Sequence, residues 1–253
     1  MTGLLEAVAE LACLTGAVAA RSFRTALAVE QKEDGSPVSA ADREAEAFAR
    51  TWIGERFPRD GICGEEFGLS GADAHRRWMV DPIDGTISFL AGVPLYSTLI
   101  AVLEGEDVLA GAICCPSLDE IAVAQRGAGC WWNGVRCRVS AVDTIARALV
   151  LTTDPTFREA PECLPAWDRL SRRSRDARTW GDGFGYLMVA TGRAEVMVDG
   201  VVHPWDIAAP RVVVEEAGGV FTDWAGCAQG PATTGVATNS LVGGEVRRVL
   251  AGS

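Results

Sequence analysis

Residues 78–86 read Trp-Met-Val-Asp-Pro-Ile-Asp-Gly-Thr. An apolar run ends on the carboxylate of Asp81; Pro82 follows, then a second carboxylate at Asp84, a glycine at Gly85 and the hydroxyl of Thr86. Asp, Pro and Gly are common turn residues, and Asp-Gly alone would mark no more than a strand-end turn. The whole run from Asp81 to Thr86 says more. Pro82 fixes its own φ and pushes Asp81 toward extended backbone, so a strand over 76–81 delivers the Asp81 carboxylate to a sheet edge. The Ile83 carbonyl is free in such a turn, Asp84 returns a second carboxylate to the same spot, and Gly85 permits close backbone approach. A helix beginning at Gly85-Thr86 would point free amides at an anion. Oxygen-only ligands of this kind suit Mg²⁺, not Zn²⁺.

Further acids recur elsewhere in the chain. Gly64-Glu65-Glu66 closes a short apolar stretch; alone it reads as a surface pair, but a metal cluster needs carboxylates from other segments. Ser39-Ala40-Ala41-Asp42 is a capping box for a helix over 40–56, and a helix start beside a phosphate site also presents Asp42 to a water. Trp205-Asp206 precedes an apolar helix ending in Glu-Ala-Gly-Gly, so Asp206 reads as its N-cap, with Pro210 within the first turn. Assembling Glu65, Asp81, Asp84 and Asp206 without cations is costly. Each like-charge pair at 4 Å costs on the order of 4 kcal/mol at an effective dielectric of 20, which implies bound metal or raised pKa values.

The rest of the composition narrows the setting. The 253 residues are 48% hydrophobic and 23% charged with a formal net charge of −11, which argues against nucleic acid or an anionic membrane as partner. No apolar run reads as a membrane span. The first twenty residues are Ala- and Leu-rich but include Glu6 and Glu10 without a basic leader, and read as an amphipathic helix. Eight scattered cysteines without a Cys-x-x-Cys pair suit reduced core thiols of a cytoplasmic protein. Two histidines, His75 and His203, argue against a His-based metal site or triad.

Periodicity predicts helices over 3–27, 40–56 and 159–172, and antiparallel strands through 95–133. From 176 onward, strands alternate with helices over 183–193 and 205–219, and a short helix closes the chain over 241–251. The pattern is that of a layered α+β enzyme. A soft boundary near residue 145 separates an α+β half, 1–145, from an α/β half, 146–253, in one compact catalytic unit with the site between them.

With Gly-Glu-Glu, Asp-Pro-Ile-Asp-Gly-Thr and Trp-Asp-Ile-Ala-Ala…Glu-Glu-Ala-Gly-Gly in this order, the chain resembles the inositol monophosphatase superfamily over residues 5–245. The resemblance implies the layered αβαβα sugar-phosphatase fold. It also implies two to three Mg²⁺ ions on Glu65, Asp81, Ile83 (through its carbonyl), Asp84 and Asp206, and a homodimer. Asp42 and Thr86 would position and deprotonate the attacking water, with Glu65 beside them, while Gly85 and Thr86 bind phosphate. Two segments, 32–43 and 178–199, look most like the histidinol-phosphatase branch, which acts in histidine biosynthesis. There Asp182, Gly183 and Asp199, with Asp206, would face the substrate's non-phosphate part, and acids suit an ammonium and an imidazole. The sequence departs from the pattern at Ile87, where Lys, Thr or Arg is more usual, and at Gly200-Val201. The implied reaction is hydrolysis of a small-molecule phosphomonoester, L-histidinol phosphate before inositol 1-phosphate, a nucleotide 3′-phosphate or fructose 1,6-bisphosphate. A non-catalytic phosphometabolite sensor or an adaptor domain is the alternative outside enzymes. Both fit poorly, since Asp42 and Thr86 are present and the acid cluster is costly.

Overall fold

The structure, a computed structural model, describes residues 3–25, 29–31, 37–228 and 232–252. Helix α1 (Gly3–Ala20) is followed by strands β1 (Val29–Gln31) and β2 (Pro37–Ser39), then helix α2 (Ala40–Arg56). Strands β3 (Gly61–Gly64), β4 (Gly68–Ser70) and β5 (Arg76–Asp84) lead into the short helix α3 (Thr86–Leu90). Next come β6 (Ser97–Glu104), β7 (Asp107–Cys115), β8 (Glu120–Gln125), β9 (Gly129–Trp132) and β10 (Val135–Arg136). The remainder comprises β11 (Leu149–Thr152), α4 (Leu164–Arg173), β12 (Asp176–Arg178), α5 (Asp182–Ala190), β13 (Val196–Asp199), α6 (Pro204–Glu216), β14 (Gly219–Thr222), β15 (Gly235–Asn239) and α7 (Gly243–Ala251).

Two sheets organise the chain. The larger has the order β10-β9-β8-β7-β6-β5-β3-β4, the smaller β12-β11-β13-β15-β14. In the larger sheet only β3 and β5 run parallel. Alternation along β6 assigns the layers, because successive strand residues face opposite sides. Ile100 and Val102 join Val8, Leu11, Trp52 and Ile53 of α1 and α2. Leu99 and Ala101 join Leu187, Ala209 and Val213 of α5 and α6, together with Met197 and Phe221 of the smaller sheet. The other face of that sheet, with Val150 and Val198, is covered by Trp167 and Leu170 of α4 and Val246 and Val249 of α7. The layers are therefore αβαβα.

Several elements differ from the sequence reading. Helix α1 stops at Ala20 rather than running to 27, and residues 21–25 form a chain of turns. By length and composition alone α1 is apolar enough to cross a membrane, contrary to the sequence reading. In the fold Leu5, Val8, Leu11 and Ala12 are buried, packed against α2 and the sheet, while Glu6 and Glu10 stay on the outer side. Helix α2 spans the expected residues because Ser39 caps it: its Oγ accepts from Ala41 N (3.2 Å). Strand β15, in a Gly- and Thr-rich stretch without a clear strand pattern, lies between β13 and β14 in the smaller sheet. Residues 32–36 of the loop before α2 lie outside the described residues.

Candidate active site

Strand β5 does not end at Asp81; it continues to Asp84 through a bulge. Asp81 pairs with Leu99 and Asp84 with Ser97, so three steps on β5 match two on β6. In a regular strand residues three apart face opposite sides; the extra residue re-aims the strand. Asp81 and Asp84 thus lie on the Leu99–Ser97 side of the sheet, toward α5 and α6. Pro82 suits the bulge because it has no N–H to place, and its carbonyl accepts from Thr98 Oγ1 at 2.8 Å. Ile83 N donates to Asp81 Oδ1 (3.1 Å), and the Ile83 side chain is in the core.

Asp84 Oδ2 accepts from Ser97 Oγ at 2.7 Å and from Gly183 N at 2.5 Å. The Gly183 amide is therefore committed to Asp84. Gly85 caps α3 with φ 82°, and a Cβ there would come within 2.9 Å of Asp182 Oδ2. Only glycine meets both demands. Thr86 Oγ1 donates to the Ile83 carbonyl (3.1 Å), not to Asp42 as its role beside that residue suggested. Asp42 Oδ2 accepts from Ser39 N and Oγ (2.8 and 2.6 Å), while the buried Oδ1 has no partner. Glu65 follows β3, its amide bonded to Val80 O at 3.2 Å, one residue before Asp81.

Asp206 is not the N-cap of α6. The helix starts at Pro204 with His203 as cap, and Asp206, its third residue, reaches back to His203 N (2.7 Å). Pro210 accordingly lies in the helix interior rather than its first turn. Its missing N–H leaves the Asp206 carbonyl without the usual i−4 donor. Asp182 starts α5 with φ 52°, uncommon for a side-chain-bearing residue, and its amide donates to Thr153 Oγ1 (2.8 Å). Asp199, at the end of β13, accepts from Thr153 N (3.2 Å) and Tyr186 Oη (2.8 Å). Thr153, Tyr186 and Ser97 hold these acids in place, and none was singled out in the sequence; their partners are 13 to 46 residues away.

The electrostatics are those of crowded carboxylates. Burial, then the charges of Glu65, Asp84 and Asp206, hold the Asp81 carboxyl well above its usual range. Burial lifts Asp84 to about 7 against the pull of Ser97 and Gly183. Asp182 and Asp206 are pushed well up by burial and by Asp84. Asp199 is raised by burial against its Thr153 and Tyr186 donors, and Asp42 by burial with a smaller push from Glu65. Among the described residues, no arginine, lysine or histidine pairs with Asp81, Asp84, Asp182, Asp199 or Asp206. Divalent cations fit this donor set: it is all oxygen, strongly anionic, and includes the partnerless Asp42 Oδ1. As the side chains stand, no group of three or more His, Cys, Asp or Glu among the described residues is arranged to hold an ion. Asp84 and Asp206 each accept a backbone amide on one oxygen. A cleft of about 510 Å³ opens beside the cluster, and its lining includes Glu65, Gly85, Thr86, Asp182, Asp199, Arg158 and Val201.

The model of the inositol monophosphatase family matches residues 2–251. The chain belongs to that family. It is similar to the histidinol-phosphatase of Chlorobaculum parvum, with 42% identity over 89% of this chain and 88% of the relative. It also resembles a fructose-1,6-bisphosphatase/inositol-1-monophosphatase of Thermotoga maritima, with 34% identity over 84% of this chain and 82% of that protein. Among solved structures, the extragenic suppressor protein suhB of Bartonella henselae superposes with a TM-score of 0.91 at 28% identity, covering 98% of each chain. As a member of this family the chain is a phosphatase acting on small-molecule phosphate esters, and the family is generally Mg²⁺-dependent.

Proposed function

We propose that the chain is a Mg²⁺-dependent phosphomonoester hydrolase that converts L-histidinol phosphate to L-histidinol. The observation that supports it most is the bulge of β5. It turns Asp81 and Asp84 to one side, toward Asp206 and the acids Asp182 and Asp199 that continue into the cleft. Glu65, Asp81, Asp84 and Asp206, with the Ile83 carbonyl, would hold two to three ions. Bound there, Mg²⁺ neutralises charge and acidifies water.

The chain's own groups divide the remaining work. The free Asp42 Oδ1 accepts a proton from the attacking water. Thr86, whose hydroxyl proton goes to Ile83, keeps its oxygen lone pairs to orient that water. The first-turn amides at Gly85 and Thr86 have no intrahelical acceptor and bind phosphate oxygens. Water adds in line to phosphorus and the ester P–O bond breaks; the proton taken up by Asp42 is returned through solvent to the leaving alkoxide, so histidinol and phosphate are the products. Asp182 and Asp199 take the ammonium and imidazole. Curated relatives at 35–42% identity bear the name histidinol-phosphatase, which favours this substrate over inositol 1-phosphate. Phosphate release from histidinol phosphate, inositol 1-phosphate, adenosine 3′,5′-bisphosphate and fructose 1,6-bisphosphate, with and without Mg²⁺, tests the proposal. Preference for any other ester overturns the substrate, and full activity in EDTA overturns the metal.

A further inference from the structure

We infer that Glu46 is a positioning residue that aims Glu65 into the acid cluster; the inference rests on the ion-holding role proposed for Glu65. Glu46 lies one helical turn after Asp42 on α2, so both project from the same face. It is fully buried, an unusual place for a glutamate. Its Oε2 accepts from Glu66 N at 2.6 Å, and its Oε1 from Phe67 N at 3.2 Å and Arg50 Nε at 2.7 Å. Arg50 in turn reaches Ser70 Oγ (3.2 Å) and the Gly68 carbonyl. The carboxylate is thus clamped between its own helix and the β3–β4 hairpin.

The hairpin is shaped around it. A Cβ on Gly64 would stand 2.1 Å from Glu46 Oε1, so residue 64 is glycine because the carboxylate occupies that space. Glu65 is consequently held from both sides: its own amide bonds to Val80 O on β5, at 3.2 Å, and the next amide bonds to Glu46. These two bonds orient the backbone of Glu65 and hence the direction of its side chain. Burying a charge merely to attach a helix to a hairpin is an expensive solution that apolar packing would replace; directional hydrogen bonds to two successive amides are what a carboxylate adds. Asp42 and Glu46 make α2 a common ruler for the water-handling oxygen and the ion-facing glutamate.

The test is a calorimetric titration of metal-free protein with Mg²⁺, without substrate, beside steady-state kinetics. Glu46→Gln keeps the shape but sets an amide N–H₂ against a donor. The Mg²⁺ dissociation constant is expected to rise tenfold or more and kcat to fall, while KM at saturating Mg²⁺ stays within twofold. On a Glu65→Gln background, adding Glu46→Gln should change Mg²⁺ affinity less than twofold, because the residue acted upon is already altered. Arg50→Met, which loosens the clamp from its other side, should weaken Mg²⁺ at least threefold and decides the matter if Glu46→Gln does not fold. Unchanged Mg²⁺ affinity in a folded variant, or an equal loss on both backgrounds, overturns the inference and leaves the proposed function standing. A wild-type protein that binds no Mg²⁺ overturns both.

Discussion

Asp182→Asn separates what the cleft acids do for the ligand from what they cost the fold. Asp182 is held at φ 52°, its Oδ2 close over Gly85, facing the charges of Asp84, Asp199 and Asp206. Asparagine has the same shape and also tolerates left-handed backbone, so the substitution removes charge and little else. One like charge at ~6 Å costs about 3 kcal/mol at an effective dielectric of 20. The Thr153 side chain also bonds the Asp182 carboxylate, and weakening that bond returns about 1 kcal/mol. The metal-free variant should therefore gain about 1–2 kcal/mol, or about 2–8 °C in melting temperature for a chain of this size. The pH dependence has a definite sign. Burial first, then the neighbouring acids, raise the folded-state pKa of Asp182 well above 3.8, so the proton binds the folded state more tightly. The charge harms the fold only as pH rises from the unfolded value through the raised one. The gain should be near zero at pH 4 and largest at pH 8, read by scanning calorimetry in EDTA. At the same time kcat/KM for histidinol phosphate should fall about 10–100-fold, a loss of about 1.4–2.8 kcal/mol, with inositol 1-phosphate less affected. A variant that melts below the parent at pH 8, or gains equally at every pH, would refute the reasoning.

Three further outcomes follow from the same geometry. Asp84→Asn and Asp206→Asn should each lower kcat by about 10²–10³-fold, the range for lost electrostatic stabilisation, with circular dichroism unchanged; near-normal turnover in either contradicts the ligand roles. Asp84, lifted to about 7 by burial, contributes stability below pH 4 that is lost as pH rises toward 7. The urea midpoint of metal-free protein should fall across that window, and saturating Mg²⁺ should flatten the fall. Gly200→Ala would place a Cβ 2.7 Å from the Phe157 ring and 2.9 Å from Ala160. Overpacking costs about 1–3 kcal/mol. It should displace the 154–160 wall of the cleft, raising KM for histidinol phosphate several-fold while kcat/KM for p-nitrophenyl phosphate stays level.

Local chemistry was legible wherever one segment contained both halves of a device. Ser39 and Asp42 announced the start of α2 because the cap and its partner lie three residues apart. The antiparallel run through β6 to β9 was readable from period and turns. What escaped depended on partners distant in the chain. The sequence points to Asp81 and Asp84 converging through a turn after a strand end, whereas they share a face through a register shift within a continuing strand, which only the pairing with β6 defines. Asp206 was assigned to the first cap position, and the Pro204 start of α6 moved it to the third. Glu46 reads as an ordinary mid-helix glutamate; nothing near it in sequence shows that the amides of Glu66 and Phe67, 20 and 21 residues on, close over it.

The two departures from the family pattern bear on substrate choice. Ile87 is 74% exposed and Val201 43% exposed, and both line the cleft. They set apolar surface beside the acids Asp182 and Asp199. A polyol phosphate would cover that surface with hydroxyls and present donors without charge to acids that burial already strains. A ligand with a flat, weakly polar ring and a cationic end covers the apolar rim and neutralises the acids together. A Lys or Arg at position 87 would set a cation there to compete with the ligand's own ammonium for Asp182, and Ile87 does not. On the proposed reading an amine-bearing substrate meets Asp182 and Asp199 with its own positive charge, and Arg158, which also lines the cleft, is left for the phosphate end or the solvent.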